Sequence, residues 1–228
     1  MTFADHVIEF NKKLKFTGAL PQGVSIMNPF REDPRIMPVV KKFYEKFYND
    51  NRTRRIILGI NPGRSGAGVT GIPFTDTKRM TEKCGIEIPD LQTHEPSSVF
   101  IYEVIEAYGG VKKFYNNYYI NSICPLGFTV ISKSGRSVNY NYYDSRELTL
   151  AMRDFIIKSI RQQIKFGIDT SVCYCLGTGK NMEFLSALND EKKFFDRIVP
   201  LDHPSRVMAY MRSRKDEFLQ KFIKILKN

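Results

Sequence analysis

Residues 54–74 read RRIILGINPGRSGAGVTGIPF, an apolar run followed by a loop that is rich in glycine and proline. Segment 54–60 has the length and the continuous hydrophobicity of a strand that is buried on both faces of a parallel sheet. The loop 61–74 then leaves the carboxyl end of this strand, and open α/β sheets bind ligands at that edge. Residues 54–74 therefore predict an α/β fold and the position of a candidate functional site.

Strand and helix patterns alternate along the rest of the chain. Further strands are predicted at 117–123, 171–177 and 197–201. Helices are predicted at 2–15, at 34–49, at 97–108 with Ser97 as the cap, at 144–166 with Asp144 and Glu147 as a capping box, at 181–188 and in the C-terminal segment. This alternation predicts a three-layer α/β sandwich with a central, mainly parallel four-stranded sheet flanked by helices.

The 228 residues fit a single domain, in which 1–50 supplies N-terminal helices and 51–228 forms the core that carries the motifs. Hydrophobic residues make up 42% of the chain, which is enough for a core and excludes global disorder. No apolar run approaches the roughly 20 residues that cross a bilayer, and no secretory signal is visible near the N-terminus. We expect a monomeric protein of the cytoplasm with no membrane partner.

The net charge indicates the class of partner, and the cysteines indicate the absence of a metal site and a reducing compartment. Lysine and arginine exceed aspartate and glutamate by 35 to 24, and the net charge of +11 favours a polyanion such as nucleic acid. The four cysteines form no C-x-x-C pair and no histidine cluster, so no metal site is expected. Cys173 and Cys175 lie in an apolar strand pattern, which indicates buried thiols in a reducing compartment.

Two glycine-rich segments resemble nucleotide-binding motifs but lack their context. Residues 66–71 match G-x-G-x-x-G, yet Pro73 opposes the helix that a dinucleotide site needs directly afterwards. Residues 177–180 read GTGK, but Asn181 stands where a P-loop requires serine or threonine. Both matches are therefore interpreted as chance, and nucleotide hydrolysis is not expected.

Three further segments carry the chemistry: GINPGRSGAGVTGIPF (59–74), NSICPLGF (121–128) and DHPSR (202–206). Together they resemble the uracil-DNA glycosylase superfamily, and most closely its single-strand-selective monofunctional family. The first motif of that family has the form G-[MI]-N-P-G-x-x-G-x-x-x-T-G-[VI]-P-F, and 59–74 meets every fixed position. The resemblance extends over roughly 54–226 and implies the same α/β fold.

The resemblance also implies roles for individual residues. Asn61 would position the attacking water, and His203 would donate a hydrogen bond to uracil O2 as negative charge develops there. The remaining substrate-binding residues implied are Phe74 as the stacking platform, Asn121 as the reader of the base edge, and Gly59, Ile60 and Gly63 around the base. Because Gly63 replaces a bulky aromatic residue of strictly uracil-specific relatives, a 5-substituted uracil has room to enter.

The sequence departs from the family pattern at two places. Asn121 lies three residues before Cys124 rather than two, with Ser122 in the nearer position. The family's H-P-S-P-R lacks its second proline here, so the residue that wedges into DNA is open: Arg206, with Val207 or Met208 as alternatives. The candidate DNA contacts are Ser205, Arg206, Val207, Met208, Lys133, Arg136 and Arg212.

The resemblance implies a monofunctional DNA glycosylase of base-excision repair that removes uracil, or 5-substituted uracil and other deaminated bases, from DNA after flipping the nucleotide. No catalytic lysine stands in the motifs, so lyase chemistry is not expected. No metal or organic cofactor is implied. Two alternatives remain: a non-catalytic protein that binds damaged or single-stranded DNA on the same fold, and a phosphate-handling α/β enzyme that uses the glycine-rich loop.

Overall fold

Two β-sheets organise the computed structural model, which describes residues 1–228. The strands are β1 (Val24–Met27), β2 (Arg54–Gly59), β3 (Tyr118–Ser122), β4 (Gly127–Ile131), β5 (Ser137–Tyr140), β6 (Ile168–Leu176) and β7 (Ile198–Leu201). Strands β3, β2, β6 and β7 form, in that order, a four-stranded sheet in which all neighbours are parallel. The central sheet predicted from the sequence is confirmed.

The register of this sheet aligns the carboxyl ends of its strands. Gly59 at the end of β2 pairs with Ser122 at the end of β3, and Leu176 at the end of β6 pairs with Leu201 at the end of β7. The loops that follow these residues consequently emerge at one edge of the sheet. All three motifs singled out in the sequence, 59–74, 121–128 and 202–206, begin at this edge.

The second sheet was not predicted. Strands β1, β4 and β5 pair antiparallel in the order β1-β4-β5, and a turn over Ser132–Arg136 joins β4 to β5. Gly135 in this turn adopts a φ of +77°, a left-handed conformation that glycine accommodates without strain. The strands are four or five residues long, and β5 is largely exposed and polar. They lack the buried apolar run by which the central strands were recognised.

Eleven α-helices and one 3-10 helix surround the sheets. They are α1 (Phe3–Lys13), α2 (Pro29–Glu32), α3 (Ile36–Tyr48), α4 (Ala67–Thr70), α5 (Thr77–Cys84), α6 (Pro96–Tyr108), α7 (Val111–Asn117), α8 (Arg146–Ile164), α9 (Lys180–Lys192), α10 (Pro204–Tyr210), the 3-10 helix Arg212–Arg214 and α11 (Lys215–Leu226). None of the helices combines the length and the apolar composition that crossing a bilayer requires.

Two predicted helix caps were wrong. Helix α6 begins at Pro96, with Glu95 at the N-cap position, two residues before the predicted cap Ser97. At α8 the cap is Ser145, whose hydroxyl accepts a hydrogen bond from the Leu148 N–H at 3.2 Å. Asp144 instead accepts from the Asn141 N–H at 2.7 Å, which closes the turn before the helix. A carboxylate next to a serine gives two adjacent capping candidates, and the turn selects between them.

Arg54 at the start of β2 is completely buried. Its guanidinium donates to the Tyr115 carbonyl at 2.7 Å and forms an ion pair with Asp50 at 2.9 Å. The guanidinium carbon also lies 4.8 Å from the ring centroids of Phe3 and Tyr48. Arg54 therefore joins α1, α3 and the loop before β2 to the sheet.

Replacing Arg54 with alanine is expected to lower the free energy of unfolding by about 3 kcal/mol, because the change removes a buried ion pair and leaves the Tyr115 carbonyl without its donor. Arg52→Ala is the matched control, since Arg52 contacts the same carboxylate but is 63% exposed, and it should cost under about 1 kcal/mol. Urea denaturation measures both values. Equal losses for the two variants would contradict the assignment.

Candidate active site

A cavity of about 600 Å³ opens at the carboxyl edge of the central sheet. It collects side chains from the loop after β2, the start of α6, strand β5 and the start of α10. Its lining residues are Ile60, Asn61, Gly63, Ser65, Phe74, His94, Glu95, Pro96, Ser97, Asn139, Asn141, Tyr143, His203, Ser205, Met208 and Ala209. The cavity thus brings Asn61 and Phe74, from one loop, together with His203, which is far from them in the sequence.

Three backbone groups contact the carboxamide of Asn61, one of them the Pro62 carbonyl, to which Nδ2 donates at 3.4 Å. Its Oδ1 accepts a hydrogen bond from the Tyr142 N–H at 3.1 Å, and its Nδ2 donates to the Tyr140 carbonyl at 3.3 Å. Each contact uses one side of the amide, so Oδ1 keeps a second lone pair for another donor. An oriented amide oxygen on a cavity wall can hold a water molecule, but it cannot remove its proton as a strong base.

Phe74 closes the loop after β2 in a strained backbone conformation. Its φ is +51°, a value that non-glycine residues seldom adopt and that functional sites often retain. The ring lies against Gly59, where an added Cβ would come within 3.1 Å of two ring carbons. Gly59 therefore supports the ring from behind and does not line the cavity, which corrects its predicted place beside the base.

His203 is the N-cap of α10, and its ring faces Phe74 with 5.9 Å between the centroids. Nδ1 accepts a hydrogen bond from the Ser205 N–H at 3.2 Å, so in the neutral imidazole the proton resides on Nε2. Burial lowers the pKa of His203 to about 4. The site thus contains a neutral imidazole whose Nε2–H is a hydrogen-bond donor.

Asp202, although adjacent to His203, does not contact the imidazole. Its buried carboxylate pairs with Lys221 at 2.7 Å and with Arg206 at 3.5 Å. The Asp202 carboxylate therefore points toward α11 and away from His203. The same ion pair holds Arg206 against the protein surface, where it is 58% exposed.

The start of α10 separates the three predicted wedge candidates. Met208 is half-buried and lines the cavity together with Ser205. Val207 is completely buried in the core. Its predicted role in DNA contact is therefore wrong, because the helix turns its side chain inward.

Asn121 does not reach the cavity. Its Nδ2 donates to the Tyr119 hydroxyl at 2.7 Å, and its Oδ1 accepts from the Ser122 N–H at 2.8 Å. The side chain is buried on the same face of β3 as Tyr119. Both ends of its amide thus make hydrogen bonds inside the protein, and the role of Asn121 as the reader of the base edge stays a prediction.

Some candidate phosphate contacts lie outside the cavity. Lys133 and Arg136 are exposed at the turn between β4 and β5, and Arg212 is exposed in the 3-10 helix. None of the three forms an ion pair with a carboxylate. The cavity lining itself contains no lysine or arginine.

Sequence reasoning missed Glu95, Asn139 and Asn141 as lining residues. The two asparagines come with β5 and its following turn, so a prediction of the β4–β5 hairpin would have indicated them. No motif marks Glu95, which reaches the site only because α6 begins there. The four cysteines are buried and free, and no group of three histidine, cysteine or acidic residues is arranged to hold a metal ion.

A family model described as the uracil DNA glycosylase superfamily matches residues 45–227. This chain belongs to that superfamily. A crystal structure of wild-type SMUG2 from Pedobacter heparinus is similar over 100% of this chain and 97% of its own, with 54% identity and a TM-score of 0.97. Among curated protein sequences, none matches. The resemblance and the glycosylase fold predicted from the sequence are confirmed, and the superfamily indicates a DNA glycosylase-type hydrolase that acts on DNA.

The neutral state of His203 can be tested by titration. Its ring should take up a proton only near pH 4 in the folded protein, whereas the unfolded chain does so near its ordinary value of about 6.5. Between these values the unfolded state binds more protons, so folding stability should fall as the pH drops through this range. Histidine NMR resonances followed against pH give the midpoint. A midpoint near 6.5 would show that the ring is not desolvated.

Proposed function

We propose that this glycosylase hydrolyses the N-glycosidic bond of uracil in DNA and leaves an abasic site. The observation that carries the proposal is the placement of Asn61, Phe74 and His203 on one cavity at the carboxyl edge of the sheet. A pure DNA-binding protein has no need of an oriented amide and a half-buried neutral imidazole on the same cavity. The glycosylase superfamily and the SMUG2 likeness support the same reaction class.

The proposed reaction begins when a nucleotide is flipped out of the base stack into the cavity. The base stacks on Phe74, and Oδ1 of Asn61 accepts a hydrogen bond from the attacking water. Because an amide cannot act as a strong general base, the bond to the base breaks largely before water attacks, through an oxocarbenium-like sugar. The departing base carries the negative charge that His203 stabilises from Nε2.

The range of bases follows from the wall at Gly63. With no side chain at Gly63, we expect room beside the uracil C5 atom, so that 5-substituted uracils or other deaminated bases enter the same reaction. The absence of lysine from the cavity lining supports a monofunctional enzyme, because lyase chemistry needs an amine at the sugar. We assign phosphate contact to exposed cations outside the cavity, namely Lys133, Arg136 and Arg212.

The test is excision of uracil from an end-labelled single-stranded oligonucleotide. The wild type should yield strand breaks only after alkali treatment. Asn61→Ala and His203→Ala should each lose about 100- to 1000-fold in rate, because each removes a group that acts at the transition state. His6→Ala, on α1 and outside the cavity, is the control and should retain full activity.

The outcomes separate the candidate functions. Binding of uracil-containing DNA without any excision by the wild type would favour the non-catalytic alternative. Breaks that form before alkali treatment would show lyase activity and contradict the monofunctional assignment. Full activity in both cavity variants would remove Asn61 and His203 from the mechanism.

Met208 is the proposed wedge, since Val207 is buried and Arg206 is paired with Asp202. Met208→Ala should lower excision from double-stranded DNA about tenfold more than excision from single strands, because only the duplex needs a side chain to fill the vacated stack. Leu150→Ala, an exposed apolar position on α8, serves as the control. Equal losses on both substrates would contradict a wedging role.

A further inference from the structure

Glu95 is an acidic side chain in the cavity that the proposed mechanism does not use. It lines the same space as Asn61, Phe74 and His203. Its Oε2 is buried and has no hydrogen-bond partner in the protein. A buried carboxyl oxygen without a partner carries a desolvation cost, and such groups are retained mainly where a ligand completes them.

The backbone of Glu95 is held firmly while its side chain is left unpaired. Its N–H donates to Asp76 Oδ2 at 2.9 Å, and its carbonyl accepts from both the N–H and the hydroxyl of Ser98 at 2.9 Å. Although Glu95 is the N-cap of α6, its carboxyl group makes no capping bond with the helix. The side chain is therefore positioned in the cavity by its backbone, not by its own polar contacts.

The glycine-rich loop makes room for this carboxyl group. A Cβ added at Gly66 would lie 2.3 Å from Oε2 of Glu95, so any larger residue there would displace it. At Gly63 an added Cβ would lie 3.9 Å from Oε1 of Glu95 and 3.5 Å from Nδ2 of Asn139. The missing side chain of Gly63 thus leaves a recess, which we call the Gly63 recess, between Oε1 of Glu95 and the amide donor of Asn139, while the unpartnered Oε2 of the same carboxyl group lies toward Gly66.

The electrostatic surroundings of Glu95 bring the pKa of its carboxyl group close to neutral pH. Burial, and then the negative charge of Asp76, raise the pKa of Glu95 to about 7. Asp76 is itself paired with Arg79 at 2.8 Å, and His94 approaches the same carboxylate at 3.6 Å. The other titratable groups on the cavity are the neutral His203 and the hydroxyl of Tyr143.

We propose that Glu95 is a specificity-determining residue, whose carboxyl oxygen accepts a hydrogen bond from an N–H or O–H group that the flipped base presents in the Gly63 recess. The proposal rests on the glycosylase function proposed above and deepens it. Asn61 and His203 act on the bond that breaks, whereas Glu95 selects which base is held. A base with no donor at that edge would leave the carboxyl group unpaired and be excised more slowly.

The test compares two bases of similar size that differ by one donor, 5-hydroxyuracil and 5-fluorouracil, each in a single-stranded oligonucleotide. The measured quantity is kcat/KM for 5-hydroxyuracil divided by kcat/KM for 5-fluorouracil. This ratio is compared between the wild type and each variant, so that the intrinsic difference between the two leaving groups cancels. Glu95→Leu should lower the ratio about 10- to 100-fold, which is the effect of losing one buried hydrogen-bond partner. Glu95→Gln retains a carbonyl acceptor and should keep part of the preference.

A pH series separates recognition from a merely structural role. In the wild type the preference for 5-hydroxyuracil should grow as the pH rises through about 7, because the ionised carboxylate only accepts hydrogen bonds. In Glu95→Gln this dependence of the preference on pH should be absent. Any effect of pH that comes from titration of the bases themselves persists in that variant, which therefore serves as the reference. Glu106→Gln, an exposed position on the same helix, removes the same charge outside the cavity and should match the wild type.

The outcomes distinguish this proposal from the function on which it rests. If Glu95→Leu and Glu95→Gln excise both bases with the wild-type ratio, the role of Glu95 is overturned while the glycosylase function stands. An equal loss on both bases in both variants would likewise overturn it, since Glu95 would then act only on folding or on the reaction common to both. If the wild type excises neither these bases nor uracil, the proposed function fails and Glu95 loses its role with it.

Discussion

The close approach between Phe74 and Gly59 is the contact on which the site depends. A strand that ends in glycine lets the aromatic ring lie directly over the carboxyl edge of the sheet, and the loop must then turn back sharply enough to give Phe74 a positive φ. The Thr70 hydroxyl secures this turn by donating to the Thr75 carbonyl at 2.8 Å. Every other wall of the cavity is arranged around the resulting ring: His203 faces it and Asn61 precedes it on the same loop. Strain of this kind persists only where the surrounding structure enforces it.

The central sheet was predictable because its strands are buried on both faces, which produces uninterrupted apolar runs such as 54–60 and 171–177. The β1-β4-β5 sheet was not, because its short strands are half-exposed and carry residues such as Asn139 that are common in turns. The sheet forms through pairing between segments distant in sequence, and β1 meets β4 across about a hundred residues. Local sequence patterns carry no signal for the pairing of β1 with β4. Gly135 lies in the turn between β4 and β5, but a single glycine does not predict that hairpin.

The candidate site residues divide in the same way. Asn61, Phe74 and His203 belong to dense motifs, and the family resemblance was enough to group them. Asn121 and Val207 were chosen by position in shorter motifs, where the direction of a side chain depends on strand alternation or helix phase. A shift of one position along β3 turns the amide of Asn121 toward Tyr119. Glu95 had no motif at all, because its place depends on where α6 begins and on two glycines more than twenty residues earlier.

The cations of this strongly basic protein lie outside its cavity. The chain carries a net charge of +11, yet its cavity lining contains no lysine or arginine, and its two most buried titratable groups there are a neutral imidazole and a carboxyl group. The exterior cations attract the DNA backbone, whereas a phosphate that entered the cavity would meet Glu95 and gain no cation. In the proposed reaction the sugar becomes cationic while the base becomes anionic. A lysine at the sugar would oppose the positive charge that develops there. The neutral Nε2–H donor of His203 stabilises the negative charge on the base without adding a cation to the cavity. The separation of binding charge from reacting charge therefore suits the proposed reaction, and a cavity lining without lysine or arginine provides it.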